Sequence, residues 1–344
     1  MPCHAHATRR RPADEAGFTL MELLTSMTVT LIVVGLTLSA FTEAQRANSL
    51  AGLVLDTNQN LRAGLNFMVR DLVQTGTGIP TGGIPVPSGA GATPINRPGP
   101  NVAMTFPVGD VVLQALTPGA ALGPTLNGQQ TDMVTVLYLD PSLDFENRNV
   151  TAIAADGSWA TVDPLTDITG ADNGVQVGDL IMFSNSMGYA IQAVTGTDGA
   201  QTMQFAQNDL FNLNQPNAAG GSITSILAGG TPTPDRVRMV TFSLDDTNPQ
   251  VPTLMRQDGF DQARPIALVI ENVQMSYDLV DGVTNPTNVK TPVPPNSPAQ
   301  IRKVNLFLAA RSESRSIAQQ ELFRTNLSTQ VSLRSLAFVD RYAN

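Results

Sequence analysis

Residues 23–41 read LLTSMTVTLIVVGLTLSAF, an apolar stretch with no charge over 19 residues. As an α-helix rising about 1.5 Å per residue it runs roughly 28 Å, close to the ~30 Å hydrocarbon core of a bilayer. Helical periodicity then continues in a different form. Leu50, Leu53 or Val54, Leu61, Leu65, Met68 and Leu72 recur at spacings of three, four and seven, which describes one face of a helix. Glu43, Arg46, Asp56, Arg62, Arg70 and Asp71 fall mostly off that stripe. No proline lies between Phe18 and Gln74, so a single helix of roughly 85 Å is expected. Its first half suits an apolar surrounding and its second half the underside of a globular head. Gly52 and Gly64 each weaken it by about 1 kcal/mol, so a break is open at either.

Residues 75–101 form a Gly/Pro/Thr/Ser tract that holds neither helix nor strand for long and reads as an exposed connection. Beyond it the pattern shifts to short β segments separated by turn residues. Candidate strands are 102–106, 111–116, 133–139, 180–185, 189–194, 202–205, 237–244, 253–256, 266–279, 302–311 and 330–338. Asp198-Gly199 reads as a hairpin turn between 191–196 and 202–205. Residues 312–326 fit a short helix or a long hairpin loop. The expected fold class is α+β: a long N-terminal helix, membrane-spanning in its first half, packed on a C-terminal antiparallel β-rich head.

Composition narrows the function classes. The chain has 344 residues, 14% of them charged, with 28 Gly and 24 Pro. The charged fraction lies well below the ~25% of typical soluble proteins, which suits a loop-rich extracytoplasmic domain. A formal net charge of −9 argues against nonspecific nucleic-acid binding, which needs several cationic phosphate contacts. Arg9, Arg10 and Arg11 precede the apolar stretch and Glu43 is the first charge after it. The positive-inside rule therefore places the amino terminus in the cytoplasm and the head outside the inner membrane.

One charge stands at the mouth of the apolar stretch. Glu22 lies within GFTLMELL, residues 17–24. A carboxylate costs about 2.5–3.5 kcal/mol at the centre of a membrane helix and less near its end, so Glu22 calls for a partner. A basic leader, then Gly-Phe-Thr-Leu-x-Glu-Leu-Leu, then an apolar helix, resembles the processing site of type IV pilins and pseudopilins. The resemblance implies cleavage by prepilin peptidase between Gly17 and Phe18 and N-methylation of the new Phe18 amine. It also implies that Glu22 pairs with the amine of a neighbouring subunit during assembly. An α-amino group with a pKa near 7.7–8.0 is mostly cationic and can neutralise a carboxylate in lipid. The leader departs from the pattern in one respect: Asp14, Glu15 and Ala16 separate the arginines from the glycine.

Several later segments are similar to PilW-type minor pilins and to the J-type pseudopilins of type II secretion. They include LRAGLNFMVRDLVQTG (61–76), GDLIMFSNSMGYAIQAV (178–194) and VNLFLAARS (304–312). The final strand departs, because Ser335 follows Leu333-Arg334. The implied organisation is a leader 1–17, a helix 18–75 with a transmembrane segment about 20–41, a connection 76–101 and a head 102–344. The implied role is a minor, tip-proximal pilus subunit. Its partners would be other pilin subunits, prepilin peptidase and the inner-membrane assembly platform. It would reside in the bacterial inner membrane and then in a pilus or pseudopilus. Gly35 and Ser39 form a small-xxx-small pair that could let helices approach closely; an unwinding point or an incidental glycine are equally open readings.

Cleavage at Gly17 would remove Cys3, His4 and His6, the only Cys and the only two His. Without them disulfides, thiol nucleophiles, His-based triads and His/Cys zinc sites are excluded, and no enzyme activity and no cofactor is expected. Removing a leader of net +1 from a chain of −9 leaves −10. Residues 140–149 and 167–173 carry oxygen ligands suited to calcium but lack the spacing of a known loop. Trp159 is the only tryptophan, open to a binding or a packing role. The competing readings are a secretory signal peptide and a plain membrane anchor, each ahead of a ligand-binding β-domain.

Overall fold

The structure, a computed structural model, describes residues 17–100, 104–107, 109–140, 149–164, 167–170, 174–315 and 320–337. Helix α1 spans Leu20–Gln74 without interruption, 55 residues or roughly 82 Å. In chain order the strands begin with β1 (Ile84–Pro85), β2 (Val112–Leu113), β3 (Leu116–Gly119), β4 (Thr125–Leu126), β5 (Gln129–Gln130) and β6 (Met133–Leu139). They continue with β7 (Val150–Ile153), β8 (Trp159–Val162), β9 (Leu180–Asn185), β10 (Gly188–Ala193), β11 (Gly196–Asp198) and β12 (Thr202–Gln204). The last are β13 (Thr233–Asp245), β14 (Thr253–Asp258), β15 (Arg264–Leu268), β16 (Ile270–Leu279), β17 (Ile301–Arg315) and β18 (Leu322–Ser332), followed by α2 (Arg334–Ala337). The chain is thus α+β, and every strand pair is antiparallel.

Three sheets carry the head. The largest runs β10-β9-β13-β14-β15, with β6 and β3 continuing beside the second half of β13. A three-stranded sheet, β16-β17-β18, lies over the helix, and β11-β12-β8-β7 forms a smaller lobe. Strand β9 sits between two cores. Leu180 and Met182 enter the main core while Ile181 and Phe183 enter the lobe, which explains its continuous apolar run.

The head-proximal half of α1 buries Thr57, Leu61, Gly64, Met68, Asp71 and Leu72, a repeat of alternating fours and threes. Gly64 allows the closest approach. A Cβ there would lie 2.8 Å from Ala267 Cβ and 3.1 Å from Leu254 Cδ2. Neither glycine breaks the helix: Gly64 is a contact, and Gly52 faces open space. Gly64→Val is expected to destabilise the head by about 2–3 kcal/mol through overpacking. Gly52→Ala should stabilise by up to about 1 kcal/mol. Chemical denaturation of the two variants checks both.

Several expectations need correction. The tract 75–101 is not a solvated loop: Ile79, Ile84, Val86, Ile95 and Arg97 are buried in it. Gly76, at φ +80°, turns the chain where a Cβ would strike Leu336 at 2.8 Å. Arg97 is buried with its Nε on Thr135 Oγ1 (3.0 Å) and its Nη atoms on the carbonyls of Pro118 (2.9 Å) and Thr117 (2.8 Å). Burial pulls its pKa down to about 10. The run 266–279 is two strands, because Val269 takes φ +54° and sends β16 into a different sheet from β15. The last strand lies earlier than 330–338: β18 ends at Ser332 and Arg334–Ala337 is helical. Residues 312–326 hold no helix among the described residues; β17 extends to Arg315 and β18 begins at Leu322. The segment 191–196 is divided between β10 and β11, although the turn after Asp198 is present.

Candidate functional site

The sequence-derived site residues lie at the free end of α1. Gly17 and Phe18 precede the helix, and Phe18 is 88% exposed. Thr19 is the N-cap, with extended backbone (φ −75°, ψ 147°). It forms a capping box with Glu22: the Glu22 amide donates to Thr19 Oγ1 (3.2 Å), and the Thr19 amide donates to Glu22 Oε2 (3.0 Å). The Thr19 hydroxyl also donates to Oε2 at 3.0 Å. Glu22 therefore has a structural use inside its own chain, satisfying an orphan amide at the helix start. The T-x-x-E spacing of Thr19 and Glu22 is the sequence signal of this cap. The basic leader, with Arg9–Arg11, Cys3, His4 and His6, lies outside the described residues.

From Leu20 to Asn48 every residue of α1 is exposed. The large apolar side chains point in all directions, from Leu20 and Met21 through Val33 and Val34 to Phe41. A helix apolar all round suits lipid or a bundle of other helices rather than one face of its own head. Its polar side chains do not oppose this. Thr25, Ser26, Thr28, Thr30 and Thr37 each donate to a carbonyl three or four residues earlier, at 2.5–2.9 Å. Those hydroxyls need no water. The helix is long and apolar enough to cross a membrane. Gly35 and Ser39 stand one turn apart on a single face, and a Cβ at Gly35 would meet nothing within 4 Å.

In the head, ionic groups form a chain across the main sheet. Asp71 of α1 accepts from Arg256 Nε on β14 at 2.7 Å. Asp258 accepts from Arg238 on β13, and Arg238 in turn reaches Asp140 at 2.8 Å. Arg236 joins Asp140 (2.8 Å) to Asp179 (3.3 Å). Burial opposes the Arg238 charge, but Asp258 and Asp140 hold its pKa above the ordinary value. Burial pushes Asp179 up against the pull of the Gln176 amide and Arg236. Asp179, Arg236, Arg238 and Asp258 border a cavity of about 270 Å³, and each of the four is held in an ion pair. Among the described residues no three His, Cys, Asp or Glu gather to hold a metal. Of the two calcium candidates, residues 141–148 and 171–173 lie outside the described residues. Asp140 is an ion-pair partner and Asp167 accepts from Thr169 at 2.6 Å. Trp159 is 38% exposed on β8, paired in register with Gln204.

No protein-family profile matches the chain, and no curated protein is similar to it. Among solved structures it is similar to a type IV-like pilin from Thermus thermophilus. The similarity is 12% identity over 47% of this chain and 87% of that one, with a TM-score of 0.18.

Proposed function

We propose that this chain is a minor subunit of a type IV pilin-like filament, of the PilW type, made as a precursor and processed between Gly17 and Phe18. The observation that carries the reading is the pairing of two features. A helix apolar on every face projects from the β head, and GFTLMELL stands at its free end. Some 29 helical residues, Leu20 to Asn48, make no use of the head, so their cover comes from lipid before assembly and from other helices after it. Phe18 would become the N-methylated amino terminus and Glu22 the partner of a neighbour's amine. Gly35 and Ser39 would admit a close helix. The head would face away from the cytoplasm, and the partners would be other pilin subunits, the peptidase and the assembly platform. A role as the J-type subunit of a type II secretion pseudopilus uses the same parts.

A second reading is favoured by the capping box. If Glu22 serves only to cap its own helix, the segment is an ordinary membrane anchor for a β-domain. Mass spectrometry of the amino terminus of the protein purified from its native membrane tests the first reading. The expected result is a chain beginning at N-methylated Phe18. An intact Met1, or cleavage near Ala40, overturns it.

A further inference from the structure

The solvent-facing side of the three-stranded sheet carries side chains that the roles proposed for Gly17, Phe18 and Glu22 do not involve. Register places Gln274, Phe307 and Ser328 in one row across β16, β17 and β18. The next row holds Ser276, Asn305 and Gln330. The opposite side of the same strands is core, with Met275, Leu306 and Leu308 buried. Phe307 is the one aromatic ring in these rows, half-buried at the floor of a depression of about 450 Å³. Lys290 and Asn288, from the loop before β17, form its wall.

The polar groups around the ring are held in fixed orientations. The Asp278 carboxylate accepts from Asn305 Nδ2 (2.8 Å) on one oxygen and from Gln330 Nε2 (3.0 Å) on the other. Gln330 Nε2 also donates to Asn305 Oδ1 (2.8 Å). Both hydrogens of that amide are committed, which leaves Gln330 Oε1 as a fixed acceptor. Lys290 Nζ is held by Gln274 Oε1 (2.7 Å) and Asp132 Oδ2 (2.9 Å), with one hydrogen to spare. Ser328 Oγ has no partner among the described residues. The result is a flat ring edged by a preoriented acceptor, a hydroxyl and a donor.

That combination selects among ligand classes. An aromatic face carries partial negative charge and attracts polarised C–H groups. Preoriented amides and hydroxyls match alternating donors and acceptors at little ordering cost. A polyanion is disfavoured, since Asp132 already meets the Lys290 charge and the chain carries −9 overall. Stacked nucleobases need a cationic track for the backbone, which these rows lack. We propose that this depression binds a neutral carbohydrate, with a sugar ring stacked on Phe307 and its hydroxyls on Ser328, Gln330 and Lys290. The site is independent of the assembly reading.

The test uses the full chain in a zwitterionic detergent without a sugar headgroup. Maltose, cellobiose and N,N′-diacetylchitobiose are the probes, read by saturation-transfer difference NMR. The expected result is transfer to the ring C–H protons of at least one disaccharide. It should fall at least tenfold in Phe307→Leu, which keeps an apolar side chain but removes the ring, and stay unchanged in Trp159→Leu. Where Phe307→Leu fails to fold by thermal melting, Gln330→Ala decides, with an expected loss of threefold or more. No transfer from any of the three sugars overturns the proposal. So does undiminished transfer in a folded Phe307→Leu or, if that fails, in Gln330→Ala. Phe307-dependent binding of an oligothymidylate in place of the sugars also overturns it.

Discussion

Glu22→Gln should abolish incorporation into filaments while leaving membrane insertion and cleavage intact. The substitution is chosen because Glu22 has two candidate jobs. Within its own chain it completes the capping box with Thr19, and glutamine does that equally well. Between chains it would neutralise the amine of a neighbour, which glutamine cannot do. Glu22→Ala removes both roles and Thr19→Ala weakens the cap alone. The magnitudes differ enough to separate them. A cap is worth about 1 kcal/mol, less than tenfold in an equilibrium. Leaving a carboxylate or an amine unneutralised in an apolar helix bundle costs several kcal/mol, about two decades or more. Assembly lost in Glu22→Gln and Glu22→Ala, and retained in Thr19→Ala, assigns the intermolecular role. Assembly retained in Glu22→Gln sinks it and returns Glu22 to the status of a cap on a plain anchor. Immunoblots of sheared filaments against membrane fractions supply the readout.

The parts of this fold that could be read from sequence are those set by local pattern. Helix α1 was legible because its apolar positions are continuous through residue 41 and periodic afterwards, with no proline to end it. Strands β6 and β9 were legible to the residue because both of their faces are covered, so each is an unbroken apolar run between turn residues. Strands β7 and β8 were missed: VTAI and WATV are short, and the pairing of β8 with distant β12, with β7 added at the edge of β8, decides their state. The break at Val269 could not be foreseen, since a β-branched residue is the wrong choice for positive φ and only the crossing between two sheets imposes it. The Gly/Pro tract misled for a similar reason. Its composition suits a loop, but Ile79, Ile84, Val86 and Ile95 are inserted into the main core. At the candidate site, the string around Glu22 was visible, and its T-x-x-E spacing also encodes the capping box with Thr19. The sheet face around Phe307 was invisible, because it joins positions 274, 307 and 328 through register alone.

Breaking the Asp71–Arg256 pair should produce a large loss of stability from a single polar side chain. Sequence periodicity set charged residues mostly off the helix stripe, yet Asp71 lies on it, 5% exposed. Its Oδ2 accepts from Arg256 Nε at 2.7 Å, and Tyr138 OH lies 3.4 Å from Oδ1 and 3.3 Å from Arg256 Nη2. Burial opposes the Arg256 charge, but Asp71 holds its pKa above the ordinary value. Burial and the Asp71 charge push the Tyr138 phenol up to about 12. Asp71→Ala removes the counter-charge and leaves a largely buried guanidinium whose next carboxylate, Asp258, is 3.9 Å away and shared with Arg238. The expected cost is about 3 kcal/mol, against about 1 kcal/mol or less for the exposed Glu43–Arg46 pair on the same helix. Replacing both partners by apolar residues of similar size, Asp71→Leu with Arg256→Met, should recover most of the loss, because no uncompensated charge remains. A double-mutant cycle in chemical denaturant measures this, with an expected coupling above about 1.5 kcal/mol. Additive single-mutant losses would show that the pair does not act as a unit. The position gives the pair its consequence: it lies three residues before α1 ends at Gln74, so it fastens the last turn of the helix to β14.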